Sequence, residues 1–556
     1  MADFLKAGRA IVMSNLLTTG MAVVVGLSAA VAVFLQTPGS TRNDPHLFST
    51  GDSCFSCHNQ LVAPSGEDVS IGTDWRASMM ANSARDPYWQ ATVRREVMDH
   101  PESAAEIEDK CAACHMPMSR FEAKATGELG KVFAHLPAGG SGSRADELAM
   151  DGVSCTICHQ ITGDSFGDVS SFSAGFAVDT ELPLGSRAVY GPYEVESGLR
   201  TLMHSASGFR QEESLHIQKS ELCATCHTLV TDALGPGGEV IGQLPEQVPY
   251  LEWRHSSFAY EHSCQSCHMP VIDGETAISS VLGKQRTEVS RHVFRGGNFF
   301  MLRMLNRYRD ELGVAAYPKE LEISALRTEA HLKASSARVK VVRAERSGDR
   351  LVIDVSIENL AGHKLPTGYP SRRTWIHLTV EGSDGRTVFE SGRLQADGRI
   401  VGNDNDDDGG RFEPHYEEIS SPDQVQIYES VMADTQGQVT TGLLSATGFI
   451  KDNRLLPLGF DKAAAGDSIA VRGAALADPD FAGGSDSVRY LVDLARFNGT
   501  LVVRAGLWYQ PIGFRWAHNL EDYDAPETHR FVGYYESMAD DSGLELAHDE
   551  QIVPDG

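Results

Sequence analysis

No cysteine of this 556-residue chain stands outside a C-x-x-C pair, and none follows residue 267. A disulfide framework would not confine every thiol to one repeated spacing, so that reading is set aside. Basic residues are also scarce, with 48 Lys and Arg against 76 Asp and Glu and a formal charge of −28. A phosphate backbone would be repelled, which excludes nucleic acid as a main partner. The same charge suits a soluble surface and docking to basic partners. Disorder is excluded too, because 41% of residues are hydrophobic and only 22% charged. The length implies several domains and a core that needs no disulfide staples.

The ten cysteines form five pairs: Cys54/Cys57, Cys111/Cys114, Cys155/Cys158, Cys223/Cys226 and Cys264/Cys267. A histidine follows each pair at once: His58, His115, His159, His227 and His268. This is the attachment motif of c-type haem. Two thiols add across the two vinyl groups of one porphyrin, and the next residue places an imidazole under the iron. Structural zinc takes C-x-x-C pairs two at a time, and five is odd. A thioredoxin-like redox motif occurs once, beside a βαβ unit. The sequence therefore predicts five haem c groups, and all five motifs are intact.

Covalent haem attachment occurs outside the bacterial cytoplasm, so an export signal is expected. Lys6 and Arg9 are followed by an uncharged stretch from Ala10 to Ser40, apolar from Gly20 to Leu35. Two readings stand. Ala30-Val31-Ala32 is a small-x-small cleavage site, which would release a soluble secreted protein. Alternatively the stretch is an uncleaved hydrophobic helix, since a bilayer span takes ~20 residues and a secretory apolar region only about 7–15. The second reading is preferred. It anchors the chain in the inner membrane with everything after Leu35 facing the periplasm or exterior. No cysteine precedes Cys54, which excludes a lipoprotein anchor.

The expected organisation is multidomain: an anchor or signal over 1–36, a pentahaem domain over 37–325, and a haem-free β-rich domain over 326–556. The motifs crowd between residues 54 and 268, so haems replace the ordinary core, with short helices and loops around them. Helices are predicted from Pro87 to Met98, from Glu102 to Ala113 and from Asn298 to Leu312. Gly139–Ser143 and Gly235–Gly238 read as connectors. After Leu326 the pattern changes to period two, with Leu351, Ile353, Val355 and Ile357 on one face. Val339–Arg343 precedes that strand across a Ser347-Gly348-Asp349 turn, and Thr374–Val380 and Thr500–Tyr509 alternate likewise. Such strands predict an all-β, sandwich-like domain.

The second axial ligand decides what each iron can do. A saturated iron passes electrons, and an open one binds small molecules. Eight histidines between residues 37 and 300 lie outside the motifs: His46, His100, His135, His204, His216, His255, His262 and His292. Supply exceeds the five places, which favours saturation. The runs Trp75–Pro87, Ser220–Thr228, Ser263–Pro270 and His292–Asn298 resemble multihaem cytochromes c, whose haem packing is shared with tetrahaem cytochromes and octahaem hydroxylamine-oxidoreductase-like proteins. The resemblance implies that His292, opening H-x-F-x-G-G-N, is a distal ligand. It places His204 and His216 among the ligands. It also puts Met80 where the family has a histidine, with His46 an alternative at that iron and His135 a further candidate. His363, in a G-H-x-x-P-T-G loop of the β region, is similar to a loop of related proteins and is a candidate ligand reaching across to a haem. The alternative is a tight turn with His363 on its surface. Arg372 and Arg373 either pair with haem propionates or with acidic neighbours.

Asp404, Asp406 and Asp408, with Gly409, match the first half of a calcium loop, D-x-[DN]-x-[DN]-G. His415 stands at position twelve where glutamate is expected, with Glu413 or Glu417 as substitutes; the alternative is a solvated acidic turn. The functional expectation is electron transfer between a membrane donor and a redox protein partner, with no acid–base catalytic residue. The alternatives are an oxidoreductase for a small nitrogen or sulfur compound, or a conducting subunit of a larger respiratory complex.

Overall fold

The computed structural model describes residues 46–137, 140–494 and 497–555. The expected anchor, with Lys6, Arg9 and the Ala30–Ala32 site, lies outside the described residues. Among the described residues no helix is long and apolar enough to cross a membrane. From Leu47 onward the chain is one compact unit.

Five short helices carry the five cysteine pairs: Asp52–His58, Ala104–His115, Cys155–Cys158, Ser220–His227 and Cys264–His268. A helical turn brings residues three apart to one side, so each pair presents both thiols together. The helix Pro87–Asp99 begins where the sequence places it. Asp86 accepts from the backbone N–H of Tyr88 at 2.9 Å and of Trp89 at 3.2 Å, and Pro87 takes the first helical position. The helix Phe299–Arg307 is shorter than expected, and its core side is Phe299, Phe300, Met301, Leu302, Met304 and Leu305. The helix Pro318–Ser335 runs across residue 326, where a domain boundary was expected.

The two larger sheets of the C-terminal region comprise nine strands: β1 (Ala337–Ser347), β2 (Arg350–Asn359), β3 (Arg373–Gly382), β4 (Thr387–Ser391), β5 (Glu418–Ile419), β6 (Ile427–Tyr428), β7 (Ser485–Asp493), β8 (Leu501–Gln510) and β9 (Leu544–Val553). One sheet runs β4-β3-β8-β9, with β6 also on β3, and the other runs β5-β7-β2-β1. The β1–β2 hairpin turns where predicted: Ser347 pairs with Arg350, and Gly348 takes φ +59°, a conformation glycine adopts without strain. Leu351, Ile353, Val355 and Ile357 are all fully buried. Burying each contributes roughly 1.5–3 kcal/mol, enough to hold the sheets without disulfides.

The inward faces of both sheets share one apolar core, and the helices Phe299–Arg307 and Pro318–Ser335 and the ring of Tyr88 join it. Polar ties reinforce this seam. Glu96 accepts from the N–H groups of Leu443 at 2.7 Å and Leu444 at 3.1 Å, and Arg94 meets Glu527 at 2.9 Å. The motif-bearing region and the β region are therefore packed as one body.

Candidate haem-attachment centres

Four of the five motif histidines use Nδ1 in the same way. His58 Nδ1 donates to the carbonyl of Ile278 at 2.7 Å, His115 to Ser83 at 3.1 Å, His159 to Tyr190 at 2.6 Å and His268 to Arg295 at 2.6 Å. Such a bond fixes the proton on Nδ1, leaves the Nε2 lone pair for a metal and raises its basicity. His227 makes no such bond; the guanidinium of Arg372 lies near it instead. Burial pushes all five imidazoles below their usual range, His115 and His268 to about 4. They are neutral near pH 7, the form that binds a metal.

The motifs also neighbour one another in a definite order. The thiols of Cys54 and Cys155 are neighbours, as are those of Cys114 and Cys226 and of Cys223 and Cys264. The first motif thus adjoins the third, while the second and fifth both adjoin the fourth. Cys158 lies close to Cys226, which brings the third motif beside the fourth.

Cys57 and Cys267 stand outside these contacts. Neither meets a thiol of another motif; each has only the hydroxyl of the preceding serine, Ser56 Oγ at 3.8 Å from Cys57 Sγ and Ser266 Oγ at 3.9 Å from Cys267 Sγ. Cys57 is half-buried, and Cys267 is the one exposed cysteine of the ten. In the first and fifth motifs Cys54 and Cys264 lie towards a neighbouring motif, and Cys57 and Cys267 do not. Their backbones are fixed all the same. The Cys57 carbonyl accepts from Ser280 N–H at 2.8 Å and the Cys267 carbonyl from Arg295 Nε at 3.1 Å. The difference lies in their surroundings and not in the attachment chemistry, which needs only a thiol within reach of a vinyl group.

Two motif imidazoles face a second imidazole. The rings of His159 and His292 have centroids 6.4 Å apart and planes 21° apart, and those of His268 and His363 lie 6.2 Å and 14° apart. Two metal–nitrogen bonds of about 2 Å on opposite sides of one iron set imidazole centroids roughly 6 Å apart, so both pairs have the right spacing. His292 Nδ1 is buried with no hydrogen-bond partner, an orphaned polar atom of the kind a metal satisfies. His363 repeats the motif pattern, its Nδ1 donating to the carbonyl of Lys364 at 2.9 Å. Paired thiols, neutral oriented imidazoles and facing rings together fit covalently bound haem.

The other sequence candidates are placed differently. His216 spends both nitrogens, Nδ1 on Ser214 Oγ at 2.6 Å and Nε2 on the Ile161 carbonyl at 2.8 Å. His204 is exposed, with Nε2 on the Gly185 carbonyl at 2.8 Å. His135 is buried, its Nδ1 held by Asp146 at 2.7 Å and its Nε2 3.4 Å from Ser119 Oγ. The His135 and Ser141 bonds hold the Asp146 carboxyl far below the usual range. Met80 lies in a turn, and its carbonyl accepts from Val153 N–H at 3.0 Å, just before the third motif. His46 is exposed at the start of the described chain. Two residues gave no ranked signal in the sequence. His331, on the helix Pro318–Ser335, lies 6.1 Å from the His268 ring, and His100 buries an unpartnered Nε2. Only the fold brings them there.

The calcium loop requires correction. Asp404, Asp406 and Asp408 do not converge, because each carboxylate already has another partner. Asp406 binds Arg373 at 2.7 Å and the Ile400 N–H at 2.8 Å, Asp404 meets Arg411, and Asp408 accepts from Gly410 N–H at 3.0 Å. Asp404–Asp407 is a single helical turn rather than an ion-binding loop. Arg373 is accordingly committed to Asp406 and not to a propionate. Arg372 bonds only the Thr367 carbonyl at 2.8 Å and Asn298 Oδ1 at 3.0 Å, and no carboxylate among the described residues pairs with it.

One group of potential metal ligands does converge among the described residues: buried His415, Asp478 and Asp486. Its hydrogen bonds explain it without an ion. His415 Nδ1 receives the amide N–H groups of Gln426 at 2.8 Å and Asn453 at 3.1 Å. Both amides are pinned through their oxygens by Tyr416 N–H and Glu429 N–H. Nε2 must then carry the proton, which it gives to Asp478 at 2.9 Å. A metal on Nε2 would need an anionic imidazolate.

No protein-family profile matches the chain, and no curated protein matches it. Among solved structures it is similar to the crystal structure of a penta-heme cytochrome c552 from Thermochromatium tepidum, with 17% identity and a TM-score of 0.52, over 92% of this chain and 100% of that one. Five intact attachment motifs and this likeness agree that the chain has a multihaem cytochrome fold.

Proposed function

We propose that the protein binds five c-type haems and transfers electrons on the outer side of a bacterial cytoplasmic membrane, between a membrane donor and a redox protein. Its N-terminal segment serves as the anchor, and its net charge of −28 suits a basic partner. When bound, each haem iron cycles between two oxidation states one electron at a time. The chain's own part is to hold the groups by five thiol pairs, orient five proximal imidazoles and supply sixth ligands. The observation that carries the reading is the facing pairs His159/His292 and His268/His363, an arrangement that saturates an iron. The mutual contact of neighbouring motifs supports it, since a relay needs adjacent centres. His135 is a further candidate ligand, and Met80 remains the candidate for the first centre.

The purified protein, studied by electron paramagnetic resonance and absorption with and without cyanide, tests this. Low-spin irons insensitive to cyanide are expected; saturable cyanide binding at one iron would overturn it in favour of an enzyme. One observation favours that second reading, an oxidoreductase of a small nitrogen or sulfur compound. Among the described residues no second imidazole faces His58, His115 or His227 in the way His292 faces His159.

A further inference from the structure

The loop carrying His363 is held by four charged side chains that water does not reach. Glu252 and Lys364 are 0% exposed, Asp452 2% and Arg454 6%. Lys364 Nζ meets Asp452 at 2.8 Å, Arg454 meets the same carboxylate at 2.8 Å, and Arg454 Nη1 meets Glu252 Oε1 at 2.9 Å. The other oxygen of Glu252 accepts from the loop itself, from Lys364 N–H at 3.2 Å and Thr367 Oγ1 at 2.5 Å. Asn359 Nδ2 holds the His363 carbonyl from the other side at 2.9 Å. His363 is therefore pinned at its own carbonyl and at the next residue's N–H and side chain.

The origin of these groups matters. Glu252 lies on the helix Pro249–Arg254, in the stretch leading to the fifth motif, whereas Lys364, Thr367, Asp452 and Arg454 belong to the β region. One carboxylate thus ties the segment before Cys264 and His268 to the loop that presents the opposing imidazole. Buried ion pairs cost desolvation and often stabilise no more than apolar packing would, so holding a geometry is their better-attested use. Residues that orient a metal ligand from behind tune the metal without touching it.

We infer that Glu252 is a positioning residue for the fifth haem: its carboxylate fixes the His363 loop and so keeps the His363 ring facing His268. The inference rests on the reading of His363 as a sixth ligand. The test uses the full holoprotein in three forms: wild type, Glu252→Gln and His363→Ala. Haem content is read by mass, and spin state by electron paramagnetic resonance. His363→Ala is expected to turn one low-spin iron high-spin with five haems retained. Glu252→Gln is expected to shift or partly convert that same signal, Glu252→Asp to restore it in part, and added imidazole to return His363→Ala to low spin. If His363→Ala changes no signal, the ligand reading itself falls. If His363→Ala acts and Glu252→Gln leaves both spectrum and reduction potentials at wild-type values, only the positioning role is overturned. Should Glu252→Gln not accumulate, Thr367→Val removes one loop donor alone. The same signal must then shift, and an unchanged one overturns the inference.

Discussion

Among the five proximal imidazoles, His227 is the exception. A carbonyl acceptor on Nδ1 makes an imidazole a stronger donor and favours the oxidised iron, and His227 lacks one. The nearby guanidinium of Arg372 adds positive charge that favours the reduced iron. The fourth haem is therefore expected to take up an electron before the third and fifth in a spectroelectrochemical titration, while methionine at the first would raise that potential too. Arg372→Gln should lower one midpoint potential and leave the others in place; an unchanged titration curve would refute this. At the third centre, His292→Ala should convert one low-spin iron to high spin with five haems retained. A wild-type spectrum from that variant would remove His292 from the ligand set.

At the scale of elements, the helix Pro87–Asp99 links a haem centre to the β region. Its Trp89 ring stacks on His115 at 4.3 Å with planes 4° apart, and its Glu96 receives two backbone N–H groups from the loop at Leu443 and Leu444. The helix starts on Asp86, whose buried carboxyl is pushed up to about 6 by desolvation while two backbone N–H bonds pull against it. Losing the cap in Asp86→Ala should cost about 1 kcal/mol, and Asp86→Asn, which keeps a side-chain acceptor, much less. Chemical denaturation of the three proteins measures the difference, and equal midpoints would show that the cap does not matter. The sequence signalled this helix because its start signal is local: Asp followed by Pro, then apolar residues. It could not signal the end of the helix Phe299–Arg307, because the turn after Arg307 is set by packing against other parts of the fold.

For the whole molecule, the mass should exceed that of the polypeptide by five haem groups, and four or fewer would contradict the motif reading. Three buried carboxyls should each subtract from stability as pH rises from about 4 to about 7, against the buried imidazoles, which add to it. Burial raises Asp86 to about 6 and Glu246 and Asp486 to about 7 in the folded chain. Between the unfolded and folded values the native state holds more protons, so raising the pH favours unfolding. Asp486 is the cleanest test, since it lies in the β region and accepts from Tyr428 Oη at 2.6 Å. Asp486→Asn keeps an acceptor for that hydroxyl but cannot ionise. It should remove this contribution, so its stability relative to the wild type should rise with pH between the unfolded and folded values. An unaltered slope in denaturation midpoints would exclude Asp486 as a contributor.

The sequence by itself determined how many attachment motifs the chain carries and where they lie, because that chemistry needs two thiols and an imidazole within five consecutive residues. It also determined the β1–β2 hairpin, where alternation and a Ser-Gly-Asp turn act over neighbouring positions. Only the tertiary structure decided which imidazole faces which. His292 meets His159 and His363 meets His268 from segments far along the chain, and no local pattern encodes that distance. Nor does the repeated spacing tell the exposed Cys267 from the other nine thiols, since exposure follows from how distant segments pack. The same holds for the acidic run at Asp404. Its spacing reads as an ion site until Arg373, on a strand packed beside it, takes Asp406 into a buried pair. His216 shows the converse, since two nearby hydrogen-bond partners occupy both of its nitrogens. A ligand role is fixed by what stands opposite a nitrogen, and that depends on how distant segments pack.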